Sequence, residues 1–308
     1  MTILQGAWGD GLHDERGDMQ RYTATYLRHR RTVDGVSPST LKDLRSRLSS
    51  FEPGVPVADV TRRHVVSWLD SLEGLSPASR RAYLSAVRTF FTWCEDEGVV
   101  TKNPCRGIKG PKQVLGPPKR LHADEVAALI GVARSDLRTL TIVLFMLQEG
   151  LRRGEVARMQ VTDLDPAERS LRVRGKGGGG LVTAVLPVSD ESWEVMARYH
   201  ASIGVRRWGP VIRSKVNPSA GVTPGRVSEL VTDAMEAAGI RMPGDSTRTA
   251  HSCRHTACHD LLAMTNDVRL VQKAMRHATV ATTEQYLRGT SDDLRPVMGG
   301  RSYLSAVA

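Results

Sequence analysis

Apolar residues spaced three and four apart dominate the first third of the chain, and this is the pattern of amphipathic helices. Two serine–proline pairs, Ser37-Pro38 and Ser76-Pro77, are typical of helix starts, with serine as the cap and proline at the first helical position. Two apolar stripes follow them: Leu41, Leu44, Leu48 and Phe51, and then Tyr83, Val87, Phe90 and Cys94, widened by Leu84 and Phe91. Thr61 is a third candidate cap. We therefore predict an all-helical region.

The rest of the chain mixes helical spacing with two short alternating segments. Residues 170–174 and 181–188 alternate as strands do, and the glycine-rich segment 175–180 joins them. Helical patterns cover 124–132, 137–150, 190–202, 224–238, 248–263, 267–276 and 279–288. The fold class predicted is mostly α with a small antiparallel sheet.

Two stretches of biased composition divide the chain. Residues 1–19 are rich in glycine and aspartate and predict a flexible N-terminus, whereas residues 107–119 hold three prolines, three glycines and three lysines, which is linker composition. The predicted organisation is a flexible N-terminus (1–19), a helical domain (20–106), a basic linker (107–119), an α+β domain (120–288) and a C-terminal tail (289–308).

Composition is that of an ordinary globular protein, with 308 residues, 40% of them hydrophobic and 25% charged. The apolar run 140–147 is too short to span a membrane, and the N-terminus lacks the basic and apolar regions of a signal peptide. Cys94, Cys105, Cys253 and Cys258 form no disulfide framework. We therefore expect a cytoplasmic protein.

The net charge of +10 is the first indication of function. Both halves of the chain carry more basic than acidic residues, as expected if both contact a polyanion such as DNA. A merely basic surface is the alternative that charge alone leaves open.

Three short segments carry the candidate chemistry. They are Gly150-Leu151-Arg152-Arg153-Gly154-Glu155, His251-Ser252-Cys253-Arg254-His255, and the segment from His277 to Tyr286. Their order and spacing resemble the signature of the tyrosine recombinases, the phage-integrase family: G-L-R-x-x-E, H-x-x-R-H, and a histidine nine residues before a tyrosine. The region before the linker is similar to that family's helical core-binding domain, and the α+β domain to its catalytic domain.

The chemistry suits these residue types. The guanidinium forks of Arg152 and Arg254 can bind the non-bridging oxygens of a phosphodiester as negative charge develops there. A tyrosine with a pKa of about 10 needs help to lose its proton, and His251 is the candidate acceptor.

The resemblance implies the remaining roles. Tyr286 would attack phosphorus and form a 3′-phosphotyrosyl link, and Lys176, on the hairpin, would protonate the leaving 5′-oxygen. His277 would hydrogen-bond a phosphate oxygen. Glu155 and His255 would support the site. No metal or nucleotide cofactor is expected. Lys215 is the alternative basic residue to Lys176.

The resemblance also implies partners. Double-stranded DNA would be bound by a homodimer on a core site and by a homotetramer in the synapse, with a directionality factor as an accessory and no membrane. Candidate DNA contacts in the helical domain are Lys42, Arg45, Arg80, Arg81 and Arg88. An integrase of a phage or mobile element is the preferred function. The alternatives are a Xer-like chromosome-dimer-resolving recombinase and a non-catalytic DNA-binding regulator on the same fold.

Two further features bear on the site. The histidines and cysteines between His251 and His259 have partial zinc-ligand spacing, but Arg254 in their midst would repel a cation, so we do not predict a metal. Arg276 stands where the resembling family usually has glycine. A side chain there is expected to alter the packing of the turn or to add a phosphate contact.

Overall fold

The structure is a computed structural model that describes residues 15–112, 120–175, 182–204, 207–245 and 247–277. The chain divides into two compact units, residues 1–116 and 117–308. Within the described ranges no helix is both long and apolar enough to cross a membrane.

The first unit is a helical bundle. Its helices are α1 (Glu15–Thr32), α2 (Pro38–Leu48), α3 (Arg62–Ser71) and α4 (Pro77–Asp96), with a 3-10 turn at Val57–Asp59. The predicted caps form: the hydroxyls of Ser37 and Ser76 accept from the backbone amides of Thr40 and Ser79, at 3.4 and 3.2 Å. Each serine thus satisfies an amide that the first helical turn leaves unpaired.

Aromatic residues fill the core of the first unit. The rings of Tyr26 and Phe90 meet edge to face at 5.5 Å, as do Phe51 and Trp68 at 5.2 Å. The predicted apolar stripes supply most of this core. Helix α1 begins at Glu15 and buries Met19, so the flexible N-terminus predicted for 1–19 extends too far. Burial of Met19 gives this segment the apolar contact that its composition does not suggest.

The described residues of the second unit form seven helices, and one of them is buried among the others. They are α5 (Ala123–Ala133), α6 (Leu137–Leu147), α7 (Arg153–Arg158), α8 (Asp190–Ile203), α9 (Pro224–Ala237), α10 (Ala250–Thr265) and α11 (Val268–Met275). Helix α6 is buried along nearly its whole length and contacts α5, α7, α8, α9 and α10. A helix that is buried on nearly every face, as α6 is, lies at the centre of its domain.

A small antiparallel sheet lies in the same unit. Its strands run in the order β1 (Leu164–Asp165), β2 (Ser170–Arg174) and β3 (Val182–Pro187). Leu171 and Val173 of β2 are buried, while Arg172 between them is exposed. The mostly helical fold with a small antiparallel sheet is confirmed. The predicted helix 279–288, the tail 289–308 and residues 176–180 of the glycine-rich segment 175–180 lie outside the described residues.

One element ends earlier than its pattern predicts. The sequence favours a helix through residue 150, but α6 ends at Leu147. The reason is Gly150, whose φ of +59° is left-handed and turns the chain into α7. This turn places Arg152 at the N-cap of α7.

Candidate active site

Arg152 and Glu155 form a reciprocal cap at the start of α7. One carboxylate oxygen of Glu155 accepts the Arg152 backbone N–H at 2.8 Å, and the other accepts the Arg152 Nη1 at 2.7 Å. Glu155 is buried, whereas the Arg152 side chain is 41% exposed. The helix start therefore holds the Arg152 backbone and its Nη1, and part of the guanidinium stays open to a substrate.

Arg254 lies one helical turn after the start of α10 and is fully buried. Its Nη1 donates to the carbonyl of Gly150 and its Nη2 to the carbonyl of Met275. One guanidinium thus joins α10 to the turn after α6 and to the end of α11. Of the two predicted phosphate-binding arginines, Arg152 is accessible and Arg254 is fully buried, with its Nη1 4.0 Å from Glu155.

The turn after α11 brings His277 to the same place. Asp267 caps the start of α11, and Arg276 ends it in a left-handed conformation with φ 53° and ψ 45°. The His277 backbone N–H donates to the carbonyl of Gln272 at 3.0 Å, and His277 is buried. His277, the first residue of the third sequence segment, therefore reaches the site by way of this turn.

Arg276 is a third arginine of the site, which sequence reasoning noted only as a departure from a family pattern. Its Nη2 donates to Glu155 Oε2 at 2.9 Å and to the Gly150 carbonyl at 3.2 Å. Its own carbonyl accepts Arg152 Nη2 at 3.1 Å. The sequence feature that indicates this role is a long cationic side chain directly before the candidate histidine, His277.

The charges of the site do not balance. The Glu155 carboxylate contacts Arg152 and Arg276, and the Nη1 of Arg254 lies 4.0 Å from it. Burial alone would raise the pKa of Glu155, but Arg276 and the hydrogen bond from Arg152 outweigh it and hold that pKa below its usual range. One ionised carboxylate among three guanidiniums leaves a positive site suited to an anion.

His277 is neutral near pH 7. Burial and then the charges of Arg254 and Arg152 lower the pKa of His277 to about 4. A neutral imidazole offers one N–H donor and one acceptor, so it can hydrogen-bond an oxygen without adding charge.

His251 and His255 lie on one face of α10. Their rings meet edge to face, with centroids 4.7 Å apart. His251 is exposed and His255 half-buried. His251 is therefore accessible to a substrate, while His255 packs behind it.

The structure links five of the predicted site residues by direct contacts or by charge interactions within the second unit. They are Arg152, Glu155, His251, Arg254 and His277, and His255 contacts His251. Lys176 and Tyr286 lie outside the described residues, although β2 leads directly to Lys176. The alternative lysine, Lys215, lies 3.7 Å from Asp136 at the cap of α6.

The two cysteines near His251 are buried. Burial raises the pKa of Cys253 to about 12 and that of Cys258 to about 11. In the part of the chain that the structure describes, no three His, Cys, Asp or Glu residues are placed to hold a metal ion.

The first unit carries the five predicted DNA contacts, which are Lys42, Arg45, Arg80, Arg81 and Arg88. Arg88 and Arg80 are half-buried and donate to backbone carbonyls, that of Ile108 at 2.7 Å and that of Leu69 at 3.2 Å. These two therefore stabilise the bundle itself. The other three side chains are exposed on α2 and α4, where a phosphate backbone could reach them.

Known proteins resemble the chain along both units. Residues 119–292 match the Phage integrase family, and residues 23–98 match the Phage integrase N-terminal SAM-like domain. Tyrosine recombinase XerC of Pseudomonas syringae pv. syringae is 29% identical over 291 residues, covering 87% of this chain and 91% of the relative. XerC of Proteus mirabilis is 28% identical over 219 residues, covering 69% and 68%.

Solved structures share the fold. A lambda integrase dimer bound to a COC′ core site has a TM-score of 0.70 at 20% identity, covering 98% of this chain and 85% of that one. A lambda integrase tetramer bound to a Holliday junction has a TM-score of 0.72 at 20% identity, covering 94% and 79%.

A helical unit followed by a mostly helical unit with a positive arginine–histidine site is the arrangement of a site-specific recombinase, an enzyme that acts on DNA. The chain belongs to the phage integrase family, whose members are tyrosine recombinases.

Proposed function

We propose that this recombinase cuts and rejoins DNA through Tyr286, and that it serves as the integrase of a phage or other mobile element. The observation that carries the proposal is the cluster of three guanidiniums around Glu155, with neutral His277 beside it. Tyr286 follows His277 by nine residues.

In the proposed first step, the Tyr286 oxygen attacks phosphorus and its proton passes to His251. Arg152 binds the non-bridging oxygens directly, because it is the exposed arginine. The buried Arg254 adds its charge from below and holds the Gly150 turn. Preorganised positive charge stabilises the transition state more than the ground state.

In the same step, the bond from phosphorus to the 5′-oxygen breaks, and Lys176 gives that oxygen a proton. A 3′-phosphotyrosyl link and a free 5′-hydroxyl result. Rejoining is the reverse: a 5′-hydroxyl attacks the phosphotyrosine and returns a proton to Lys176, while Tyr286 leaves and takes its proton back from His251. The covalent link conserves the bond energy, so no nucleotide is consumed.

We further propose that two copies bind a core site and four form the synapse. Support comes from the likeness in fold to structures described as a dimer on a core site and a tetramer on a Holliday junction. Exposed Lys42, Arg45 and Arg81 would contribute DNA contacts from the first unit.

The Tyr286→Phe variant tests the proposal. It should bind a DNA substrate nicked near the cleavage site with unchanged affinity but form no covalent adduct on a denaturing gel, because phenylalanine lacks the attacking oxygen. Tyr22→Phe, the same change on α1, is the matched control and should form adduct as the parent does. Adduct formation by Tyr286→Phe, or none by the parent, would contradict the proposed chemistry.

The relatives named tyrosine recombinase XerC favour a second candidate function, the Xer-like chromosome-dimer-resolving alternative of the sequence analysis. Mapping of covalent adducts across the genome separates the two functions. Adducts at the ends of a mobile element support an integrase, whereas adducts at one chromosomal site outside any element support the Xer-like role.

A further inference from the structure

We infer that Arg276 is a positioning residue of this active site, which orients Arg152 both through its own backbone and through Glu155. The inference rests on the proposed function, because it assigns Arg152 to the phosphate. Arg276 itself is not expected to touch DNA.

The backbone of Arg276 is in a conformation that disfavours its side chain. With φ 53° and ψ 45° it is left-handed, where a residue with a Cβ costs about 1–2 kcal/mol. Only three non-glycine residues in the described ranges have positive φ: Arg169, Asn266 and Arg276. A strained position held by a long cationic residue points to a gain from that side chain.

The Arg276 side chain offsets the backbone strain through contacts inside the protein. It is 8% exposed, and its Nη1 donates to the Ala274 carbonyl at 2.7 Å. Its Nη2 donates to Glu155 and to the Gly150 carbonyl. Both arginines have their terminal nitrogens engaged, but Arg152 is 41% exposed and Arg276 only 8%, so burial commits Arg276 to the protein rather than to a phosphate.

Arg152 depends on residue 276 in two ways. Its Nη2 donates to the Arg276 carbonyl at 3.1 Å, and its Nη1 donates to the carboxylate that Arg276 also binds. Loss of the Arg276 guanidinium would free Glu155 to rotate and would leave Arg152 with one fixed contact instead of two. A misplacement of about 1 Å at a catalytic group can cost about 100-fold in rate.

The test compares single-turnover cleavage by the parent and by Arg276→Gly at saturating nicked DNA. Glycine relieves the backbone strain and removes the guanidinium, so the fold should persist. We expect cleavage to slow by about 10- to 100-fold, while the DNA concentration at half saturation changes less than about threefold, because the phosphate contacts elsewhere remain.

A matched control lies in the turn directly before β2. Arg169 is also left-handed, with φ 43°, but it is exposed and pairs with Asp190 away from the site. Arg169→Gly is the same substitution in the same kind of backbone and should cleave at the parental rate.

Three further readouts separate positioning from a general loss of structure. The pKa of His277, followed by NMR, should rise in Arg276→Gly, since the Arg276 charge contributes to lowering it. Added guanidinium ion should partly restore cleavage. The double variant Arg276→Gly/Glu155→Gln should cleave only a little more slowly than Glu155→Gln alone, because both changes remove the same Arg276–Glu155 ion pair.

Each failure has a distinct meaning. If the parent forms no adduct, the proposed function is wrong. If the parent cleaves and Arg276→Gly matches it, or if Arg276→Gly loses binding and cleavage equally with an unchanged His277 pKa, the positioning role is overturned.

Discussion

At the scale of single residues, the site concentrates positive charge around one buried carboxylate. Glu155 stays ionised because Arg276 and Arg152 bind it. Without that carboxylate, three guanidiniums would repel one another in a poorly solvated place. Glu155 therefore reduces the repulsion among the three guanidiniums and still leaves the site with excess positive charge for binding a phosphate.

Burial, together with the same charges, makes His277 a pH-dependent contributor to stability. The pKa of His277 is about 4 in the folded protein, against about 6.5 for an ordinary histidine. Between these values the unfolded chain binds more protons, so the free energy of unfolding falls as the pH is lowered from about 6.5 to about 4. Above pH 6.5 this contribution is fully present.

His277→Gln should reduce this dependence, because glutamine cannot take up the proton. Urea unfolding of the parent and the variant at steps from pH 4 to 7.5 measures it. We expect the unfolding free energy of the parent minus that of the variant to fall as the pH is lowered from about 6.5 to about 4. Parallel curves would mean that the His277 pKa is the same folded and unfolded.

At the scale of elements, helix starts and apolar faces were predictable from the sequence because local patterns set them. Ser37 and Ser76 cap as expected, and the stripes of α2 and α4 supply the core. The end of α6 and the burial of Arg254 were not predictable. The Arg254–Gly150 hydrogen bond joins residues 104 apart in sequence, and the Arg152–Arg276 bond joins residues 124 apart.

The Gly150 turn is the element on which the site depends most. A Cβ built at Gly150 would lie 2.6 Å from the Met275 sulfur, and the φ of +59° disfavours any side chain. Gly150→Ala should therefore lower the free energy of unfolding by about 1–3 kcal/mol and slow cleavage, since α6, α10 and α11 meet there.

Gly131→Ala provides the control for this change. Gly131 lies within α5, with open space where a Cβ would stand and an ordinary φ. Alanine there should raise stability by up to about 1 kcal/mol, through helix propensity alone. Chemical denaturation compares the two, and equal effects would show that the Gly150 turn tolerates a side chain.

At the scale of the whole molecule, two units with separate cores share one chain. The first core draws on residues between Met19 and Ile108, and the second on residues between Leu121 and Cys253. Because each unit buries its own apolar side chains, each is expected to fold alone. The proposed chemistry lies in the second unit, and the exposed cations of α2 and α4 lie in the first.

Division of the chain should therefore separate chemistry from affinity. A fragment of residues 113–308 should still form the Tyr286 adduct, but it should need at least about tenfold more protein to do so, because the tethered first unit raises the effective concentration on DNA. Its affinity should also fall less steeply with salt, since fewer phosphates are neutralised. Adding residues 1–112 as a separate chain should restore little of the lost affinity, because the two units are then no longer tethered.

Gel-shift titrations at several salt concentrations, with a thermal melt to show that the fragment is folded, provide the measurement. A folded fragment with the parental affinity and salt dependence would place all DNA binding in the second unit.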